Sequence, residues 1–321
     1  MVDRGLDVLE KYDFVVNDTA KGRGVLILKT DKGTKALKEY KGSGKHLVWT
    51  EEILENAMAE CDFMMDSCVR NNEGEFISES ADGSRYIVKN WFEYRECDVR
   101  NSADIAMAVR TLAKLHNVLE KNQPQEKLYF AKSLKQEMNS HNQEIKKVRK
   151  FLFSRNNRTE FEMIATKYCD YFYEEGMCAM KRLEALSPEE KLIMGLCHGD
   201  YNFHNICFVQ NIPAVVNFDK QNYNYLMSDL YSFMRKILEK NDWDYNLGYH
   251  LIDEYDKIRN ITEEDIELLA ILFTYPEKFW KILNGYFNSN KAWISGKKSD
   301  KLKKFIEQNE KRKEFIRTIY S

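Results

Sequence analysis

The sequence predicts an α+β protein of two lobes. Three observations carry this. Strand-period patterning runs to about residue 95, helix-period patterning takes over from about residue 100, and one loop of chemistry-bearing residues lies between short apolar runs in the second part. At 321 residues the chain can bury a large core and hold two subdomains, expected at 1–95 and 96–321.

In the first lobe Phe14-Val15-Val16 is a short apolar run, Gly22 and Gly24 mark a turn, and Val25 to Leu28 reads as a strand. Asp31-Lys32-Gly33-Thr34 is a hairpin turn signal, and Lys35 to Tyr40 then alternates polar and apolar. A helix is expected from about Lys45 to Glu60, with Leu47, Val48, Leu54, Ala57 and Met58 on one face. Glu75 to Ser78 and Arg85 to Val88 read as two further strands around the turn Asp82-Gly83.

In the second lobe Ser102 is placed to cap a helix that carries Ile105, Ala106, Val109, Leu112, Ala113, Leu115 and Leu119. Ser187-Pro188-Glu189-Glu190 and Thr262-Glu263-Glu264-Asp265 are helix start signals, combining a cap with acids in the first turn. Residues 133–160 are charged and read as helix. The basic runs Lys146 to Lys150 and Lys297 to Arg317 read as solvated helix faces rather than nucleic-acid patches.

Composition narrows the function classes. A formal net charge of -2 points to neither nucleic acid nor an anionic membrane as a partner, and no apolar run reaches the length of a membrane span. The opening Met1 to Asp7 is acidic and mixed, unlike a secretory leader. Cys61, Cys68, Cys97, Cys169, Cys178, Cys197 and Cys207 are odd in number and include no C-x-x-C, which fits reduced thiols in a cytosol-like compartment. The histidines show no metal-ligand spacing.

The run Cys197-His198-Gly199-Asp200-Tyr201-Asn202-Phe203-His204-Asn205-Ile206-Cys207 reads H-G-D-x-x-x-x-N, and the strand-like Ala214 to Asp219 follows. Kinase catalytic loops have this shape. One Asp accepts the acceptor's proton, an Asn binds a metal that bridges the phosphates, and a carboxylate on the next strand binds metal as well. Asp200 is therefore the candidate catalytic base or nucleophile positioner, against the alternative of a turn cap, and Asn205 a candidate Mg2+ ligand. The fold expected is a bilobal protein kinase-like one. Its N-lobe is an antiparallel sheet with one helix, its C-lobe is mostly helical with a catalytic hairpin, and ATP binds at the seam.

In such a fold Lys38 reaches the α- and β-phosphates from the third strand. Glu51, Glu52 or Glu55 on the following helix holds it by an ion pair, with Glu51 favoured. Adenine is expected against the backbone near Lys89, Asn90 and Trp91. Gly22-x-Gly24 is compatible with a phosphate loop, but two glycines in a turn need no ligand. The pattern Ile-Asp-Phe-Asp or Ile-Asp-Phe-Glu is expected at the metal strand, and here it reads Val216-Asn217-Phe218-Asp219. Asn217 offers a neutral carbonyl oxygen but no charge. A charge pair at close contact is worth about 4 kcal/mol at moderate dielectric before desolvation. Mg2+ binding therefore weakens unless Asp219, on the same strand face, takes over.

The chain resembles the CotS-type spore coat proteins of endospore-forming bacteria, within the aminoglycoside phosphotransferase/choline kinase-like superfamily. The resemblance covers roughly residues 10–318. It rests on Tyr94 to Asn101, Leu112 to His116, Cys197 to Asn205, Asn217 to Lys220, Asp229 to Lys236 and Tyr275 to Ile282. It implies a kinase-like fold, an ATP and Mg2+ site, and a location in the mother-cell cytoplasm and spore coat, with other coat proteins as possible partners. Asp200, Asn205 and Lys38 match its functional positions, and Asp229 matches an Asp that braces the catalytic loop.

Two functions follow from these readings. One is an ATP-dependent phosphotransferase acting on a hydroxyl of a small molecule or coat glycan component. The other is a coat assembly protein that keeps the kinase fold with little or no catalysis, the reading that Asn217 favours. A Ser/Thr protein kinase fits less well, because no clear activation-loop phosphosite or A-P-E segment follows Asp219.

Overall fold

The computed structural model describes residues 5–22, 24–124, 132–186, 192–288 and 295–319. The alternating segments of the first lobe form an antiparallel sheet from β1 (Val16–Lys21), β2 (Leu26–Thr30) and β3 (Gly33–Glu39), and α1 (Gly44–Met58) follows. Then come β4 (Met64–Met65), β5 (Cys68–Val69), β6 (Ser78–Glu79), β7 (Arg85–Asn90) and β8 (Arg95–Glu96). The strand order is β1-β2-β3-β7-β5, with β6 also pairing β7. Two apolar clusters flank this sheet, as period-2 alternation requires. Leu28, Leu37 and Val88 pack with Val8 and Tyr12, whereas Ile87 and Cys68 pack with Leu47 of α1 and with Phe76.

The helix start is capped by the Ser43 side chain, which accepts from His46 N–H. The strand expected at Glu75 to Ser78 shrinks to β6. Asn71 explains this: its side-chain oxygen accepts from the amides of Glu73 and Glu75, and its own amide donates to the Glu75 carbonyl, so a turn consumes those groups. At two residues each, β4, β5 and β8 are too short for any periodicity to announce them.

The second part begins with α2 (Ser102–Lys121), α3 (Leu134–Ser154) and α4 (Glu160–Ala185). The cap of α2 is Asn101 rather than Ser102, since the Asn101 side chain accepts from the amides of Ala103 and Asp104. The charged stretch 133–160 is helical to Ser154 and then broken, because Thr159 and Glu162 form a capping box that starts α4 afresh. The start signal Ser187 to Glu190 lies outside the described residues.

Next come β9 (Met194–Cys197), β10 (Ile206–Val209), β11 (Ile212–Val215) and β12 (Asn222–Tyr225). They build two small sheets, β4-β11-β10-β8 and β12-β9, so strands from both sides of residues 95 and 96 share one sheet. The remaining helices are α5 (Met227–Lys240), α6 (Tyr245–Asp256), α7 (Glu263–Thr274), α8 (Glu277–Phe287), α9 (Ser295–Glu307) and α10 (Asn309–Ile319). Thr262 caps α7 in a capping box with Asp265, as its sequence signal predicts.

The basic tail is more than a solvated face. Arg312 is buried and donates to the carbonyls of Phe273 and Thr274 at 2.9 and 3.2 Å, satisfying orphan acceptors at the C-terminus of α7. Among the described residues no helix is long and apolar enough to cross a membrane, and the cysteines form no disulfide.

Candidate active site

Asp200 sits in a loop braced from below. The amides of His198 and Gly199 donate to the two oxygens of Asp229, at 2.6 and 2.9 Å, from the first turn of α5. Asp229 is buried, and His116 Nε2 lies 3.4 Å from it. Gly199 is required here: its φ is +80°, and a Cβ would stand 2.0 Å from the Lys220 carbonyl oxygen. The Asp200 amide donates to His198 Nδ1 at 3.2 Å, which leaves the proton on Nε2 to donate to the Val216 carbonyl at 3.0 Å. One imidazole ring thus joins the Asp200 loop to the segment after β11.

The Asp200 carboxylate faces two lysines, with Lys220 Nζ at 3.0 Å and Lys236 Nζ at 3.6 Å. Burial resists its ionisation, but the Lys220 hydrogen bond and the two ammonium charges outweigh this and hold the carboxyl below its usual range. The Asn202 and Asn205 side-chain amides both donate to the Asp200 carbonyl, at 2.7 and 2.9 Å, which fixes the loop's curvature.

Asp219 reaches the same cleft by a route other than the expected strand face. β11 ends at Val215, Asn217 takes a left-handed φ of 70°, and Phe218–Lys220 form a 3-10 turn. Strand alternation therefore does not apply, and it is the turn that swings the Asp219 carboxylate to Lys38, at 2.6 Å. Burial opposes the Asp219 charge, but Lys89 and Lys38 together hold its carboxyl down. The Asn217 side chain donates to Asn205 Oδ1 at 3.0 Å, and the Asn217 amide lies 3.2 Å from both oxygens of Asp66.

The expected Lys38–Glu51 pair does not form. Glu51 is buried and accepts from the Cys68 amide at 2.7 Å, while Glu55 pairs with Arg70 at 2.8 Å. A second lysine explains the difference. In the β3–β7 register Ala36 faces Lys89 and Lys38 faces Ile87, so Lys38 and Lys89 lie on one face of the sheet. Lys89 occupies the buried end, where it pairs with Asp66 at 2.9 Å and its charge offsets the burial that pushes the Glu51 carboxyl up. Burial disfavours the Lys89 ammonium, but Asp66 leads the charges that push its pKa up.

At the seam the Asn90 amide is spent on the Ser67 carbonyl at 2.9 Å and the Trp91 amide on the Thr34 carbonyl at 3.0 Å. Those two donors are not open to a base. Phe92 and Tyr94 extend the same wall, and among the described residues no hydrogen bond holds their amides.

Two cavities meet at this centre. One of about 680 Å³ lies between the sheet and the loop, walled by Ala36, Lys38, Lys89, Trp91, Asn205 and Asn217. The other, of about 710 Å³, lies among the helices of the second part, against α3, α5 and α8. Asp200, Asp219, Lys220 and Lys236 line both. Sequence reasoning missed Asp66, Lys220 as a partner of Asp200, and Lys236. Helical spacing offers a signal for Lys236, which stands two turns beyond Asp229 on α5. Asp66 sits in a short linker and offers none.

Glu277 opens α8 inside the second cavity. Burial resists its ionisation, but Arg235 and Lys281 outweigh it and hold the carboxyl down at about 2 against an ordinary 4.5. A depressed folded pKa means stability that is present above pH 4.5 and lost as pH falls toward 2. Glu277→Gln is expected to lower stability at pH 7 by about 1–3 kcal/mol, because Lys281 loses its carboxylate partner and Arg235 keeps only Glu239. It is also expected to flatten the acid limb. Melts at stepped pH check this, and an unchanged acid limb rejects it.

No family model matches the chain. Spore coat protein S of Bacillus subtilis is 23% identical over 163 residues, which is 49% of this chain and 46% of that protein. The match thus spans about half the length of the curated relative. An aminoglycoside phosphotransferase from Alicyclobacillus acidocaldarius superposes with a TM-score of 0.83 at 17% identity, over 98% of this chain and 94% of that one. An amicoumacin kinase in complex with AMP-PNP and Ca2+ superposes with a TM-score of 0.63 at 12% identity, over 98% and 94%. The antiparallel sheet with its helix and the mostly helical second part are thus those of the kinase-like fold of these neighbours.

Proposed function

We propose that the protein is an ATP- and Mg2+-dependent phosphotransferase acting on a hydroxyl of a small molecule or coat glycan component, in association with the spore coat. One observation carries the reading: two cavities of ligand size share Asp200, Asp219, Lys220 and Lys236 as their common wall. A donor and an acceptor bound on either side meet there and nowhere else along those walls. The 1–95 lobe would supply Lys38 to the phosphates, and the 96–321 lobe would supply Asp200. Adenine would lie at the seam of Lys89, Asn90 and Trp91, reaching on to Phe92 and Tyr94.

The residues present fit a hard divalent ion. Asn205, Asn217 and Asp219 offer oxygen donors only, and Asp219 brings a carboxylate that is already ionised. Mg2+ held by these residues would neutralise charge on the phosphates. In the transfer, the acceptor's hydroxyl oxygen attacks the γ-phosphorus, the bond to the bridging oxygen breaks, and ADP leaves. The hydroxyl proton passes to Asp200. Because its pKa is held down, Asp200 serves chiefly to aim the hydroxyl, and a loose transition state asks little more of it. Lys220 and Lys236, released from Asp200 as it turns to the acceptor, would balance charge on the transferring group.

The similarity to spore coat protein S supports a place in the mother cell and spore coat, with other coat proteins as partners. Asn217 supports the second reading, a coat protein that retains the fold with weak or no catalysis. A thermal-shift panel separates the two. ATP with Mg2+ is expected to raise the midpoint, by about 2.7 kcal/mol of stability at a hundredfold excess over Kd, and ATP alone to raise it less. ADP release with hydroxyl acceptors should follow. No shift with any nucleotide favours the structural role.

A further inference from the structure

The strand that leads to Asn217 and Asp219 ends against a residue of the first lobe. Met65 pairs with Val215 in the short parallel ladder of β4 and β11, and Asp66 grips the chain just beyond it. The Asp66 amide donates to the Val215 carbonyl at 3.1 Å, and its carboxylate accepts from the Asn217 amide, which lies 3.2 Å from both oxygens. One residue thus brackets the step at which the chain leaves β11 and turns into the cleft. That step needs holding. Asn217 sits at a φ of 70°, a left-handed conformation that a side chain with a Cβ adopts only at a cost. The Asn217 side chain does not cap the 3-10 turn it starts, because it donates to Asn205 Oδ1 at 3.0 Å.

Asp66 is itself held from the sheet. Lys89, on β7, donates to it at 2.9 Å, and both side chains are buried. A neutral oxygen would be enough to cap one amide. Two ions taken out of water recover only part of their lost solvation from each other, and apolar side chains of like size often pack in their place without loss. The charge pair does something a neutral cap would not. Burial opposes the Asp219 charge, and among the groups that offset this Lys89 leads. One buried ammonium therefore acts on two of the three candidate metal ligands, on Asp219 by its field and on Asn217 through Asp66. Asp66, Lys89, Asn205, Asn217 and Asp219 all line the cavity of about 680 Å³ between the sheet and the loop.

We infer that Asp66 and Lys89 are positioning residues for the divalent ion: Asp66 fixes the Asn217 backbone so that the Asn217 and Asn205 side chains stand together, and Lys89 holds Asp66 in place. This rests on the reading of Asn205, Asn217 and Asp219 as metal ligands. The test uses the full chain. Calorimetry gives the affinity for AMP-PNP with Mn2+ and again in EDTA, and the ratio of the two is the gain due to metal. A purely structural role for Asp66 would move both affinities alike, whereas a positioning role moves the ratio. Hydrogen exchange at the Asn217 amide, read by NMR, follows the bond to Asp66 directly and needs neither metal nor nucleotide.

Asp66→Ala is expected to cut the gain due to metal by roughly tenfold, the worth of one hydrogen bond to a charged group, with the affinity in EDTA unchanged. Asp66→Asn retains an acceptor for the Asn217 amide and should keep most of the gain. The Asn217 amide should be protected in wild type and in Asp66→Asn and exchange fast in Asp66→Ala. Because Asp66→Ala strands the Lys89 ammonium and can unfold the chain, both changes are repeated on Lys89→Met, where no charge is stranded. The same roughly tenfold difference between Ala and Asn at position 66 is expected there. A gain in Asp66→Ala equal to that of wild type, an equal loss with Mn2+ and in EDTA, or a protected Asn217 amide in Asp66→Ala overturns the inference. A wild type that gains nothing from Mn2+ removes the metal reading and the inference with it. An intact wild-type gain beside a silent Asp66→Ala removes the inference alone.

Discussion

Asp200→Asn is expected to lower turnover by about 10²–10⁴-fold while leaving nucleotide binding largely intact. The carboxylate is a hydrogen-bond acceptor that aims the attacking hydroxyl, and the amide keeps its shape but presents a donor on one side. The fold should survive the change. The loop's main supports are the Asp200 carbonyl, held by Asn202 and Asn205, and the Asp229 carboxylate beneath; of the carboxylate's own bonds, that from Asn202 at 3.1 Å can be kept by the oxygen of the new amide. The Lys220 and Lys236 ammonium groups lose their shared anion, so the same variant should bind anionic probes more tightly in the acceptor cavity. Steady-state ADP release against calorimetric nucleotide affinity checks the separation. Equal turnover in wild type and variant removes Asp200 from the mechanism.

The second large effect is expected at the metal site. Asp219→Ala should abolish Mg2+-dependent nucleotide binding. It removes the carboxylate of the Asn205, Asn217 and Asp219 set, a contribution of about 4 kcal/mol per unit charge before desolvation, or up to about 10³ in Kd. It also leaves Lys38 without the partner it holds at 2.6 Å. Asn217→Ala should cost much less. Asn217→Asp has two opposed consequences. A second carboxylate should tighten Mg2+·ATP. Without the ion, however, the substitution turns the 3.0 Å bond from Asn217 Nδ2 to Asn205 Oδ1 into a contact of two acceptors, so the ligand-free midpoint should fall. Titration of Mg2+·ATP into the three variants, with melts in and out of Mg2+, reads both. If Asp219→Ala is silent and Asn217→Asp does not tighten binding, the cleft does not use this turn for metal, and the coat protein with only the fold becomes the better reading.

Much of the architecture was written locally. Ser43 and Thr262 carry their caps in sequence, the Asp31 to Thr34 turn lies beside the strands it joins, and the H-G-D spacing is confined to one short loop. Such signals are legible because the atoms that interact are neighbours in the chain. Errors arose where two groups competed for one partner. Ser102 looked like the cap, but Asn101 took the amides; Glu51 looked like the partner of Lys38, but the Cys68 amide claimed it.

The sequence by itself determined the two-part α+β architecture, the two candidate elements of the site, Asp200 with Asn205 and Asp219, and the departure at Asn217. Tertiary structure alone decided which charges meet. Lys38 finds Asp219 across 181 positions, Lys89 finds Asp66 across 23, and Lys236 reaches the Asp200 loop from α5. The reason is physical. Periodicity and capping depend on bonds between near residues, whereas the pairing of a charge depends on which surfaces bury it together. Two lysines on one sheet face can be told apart only when the buried end and the open end of that face are known.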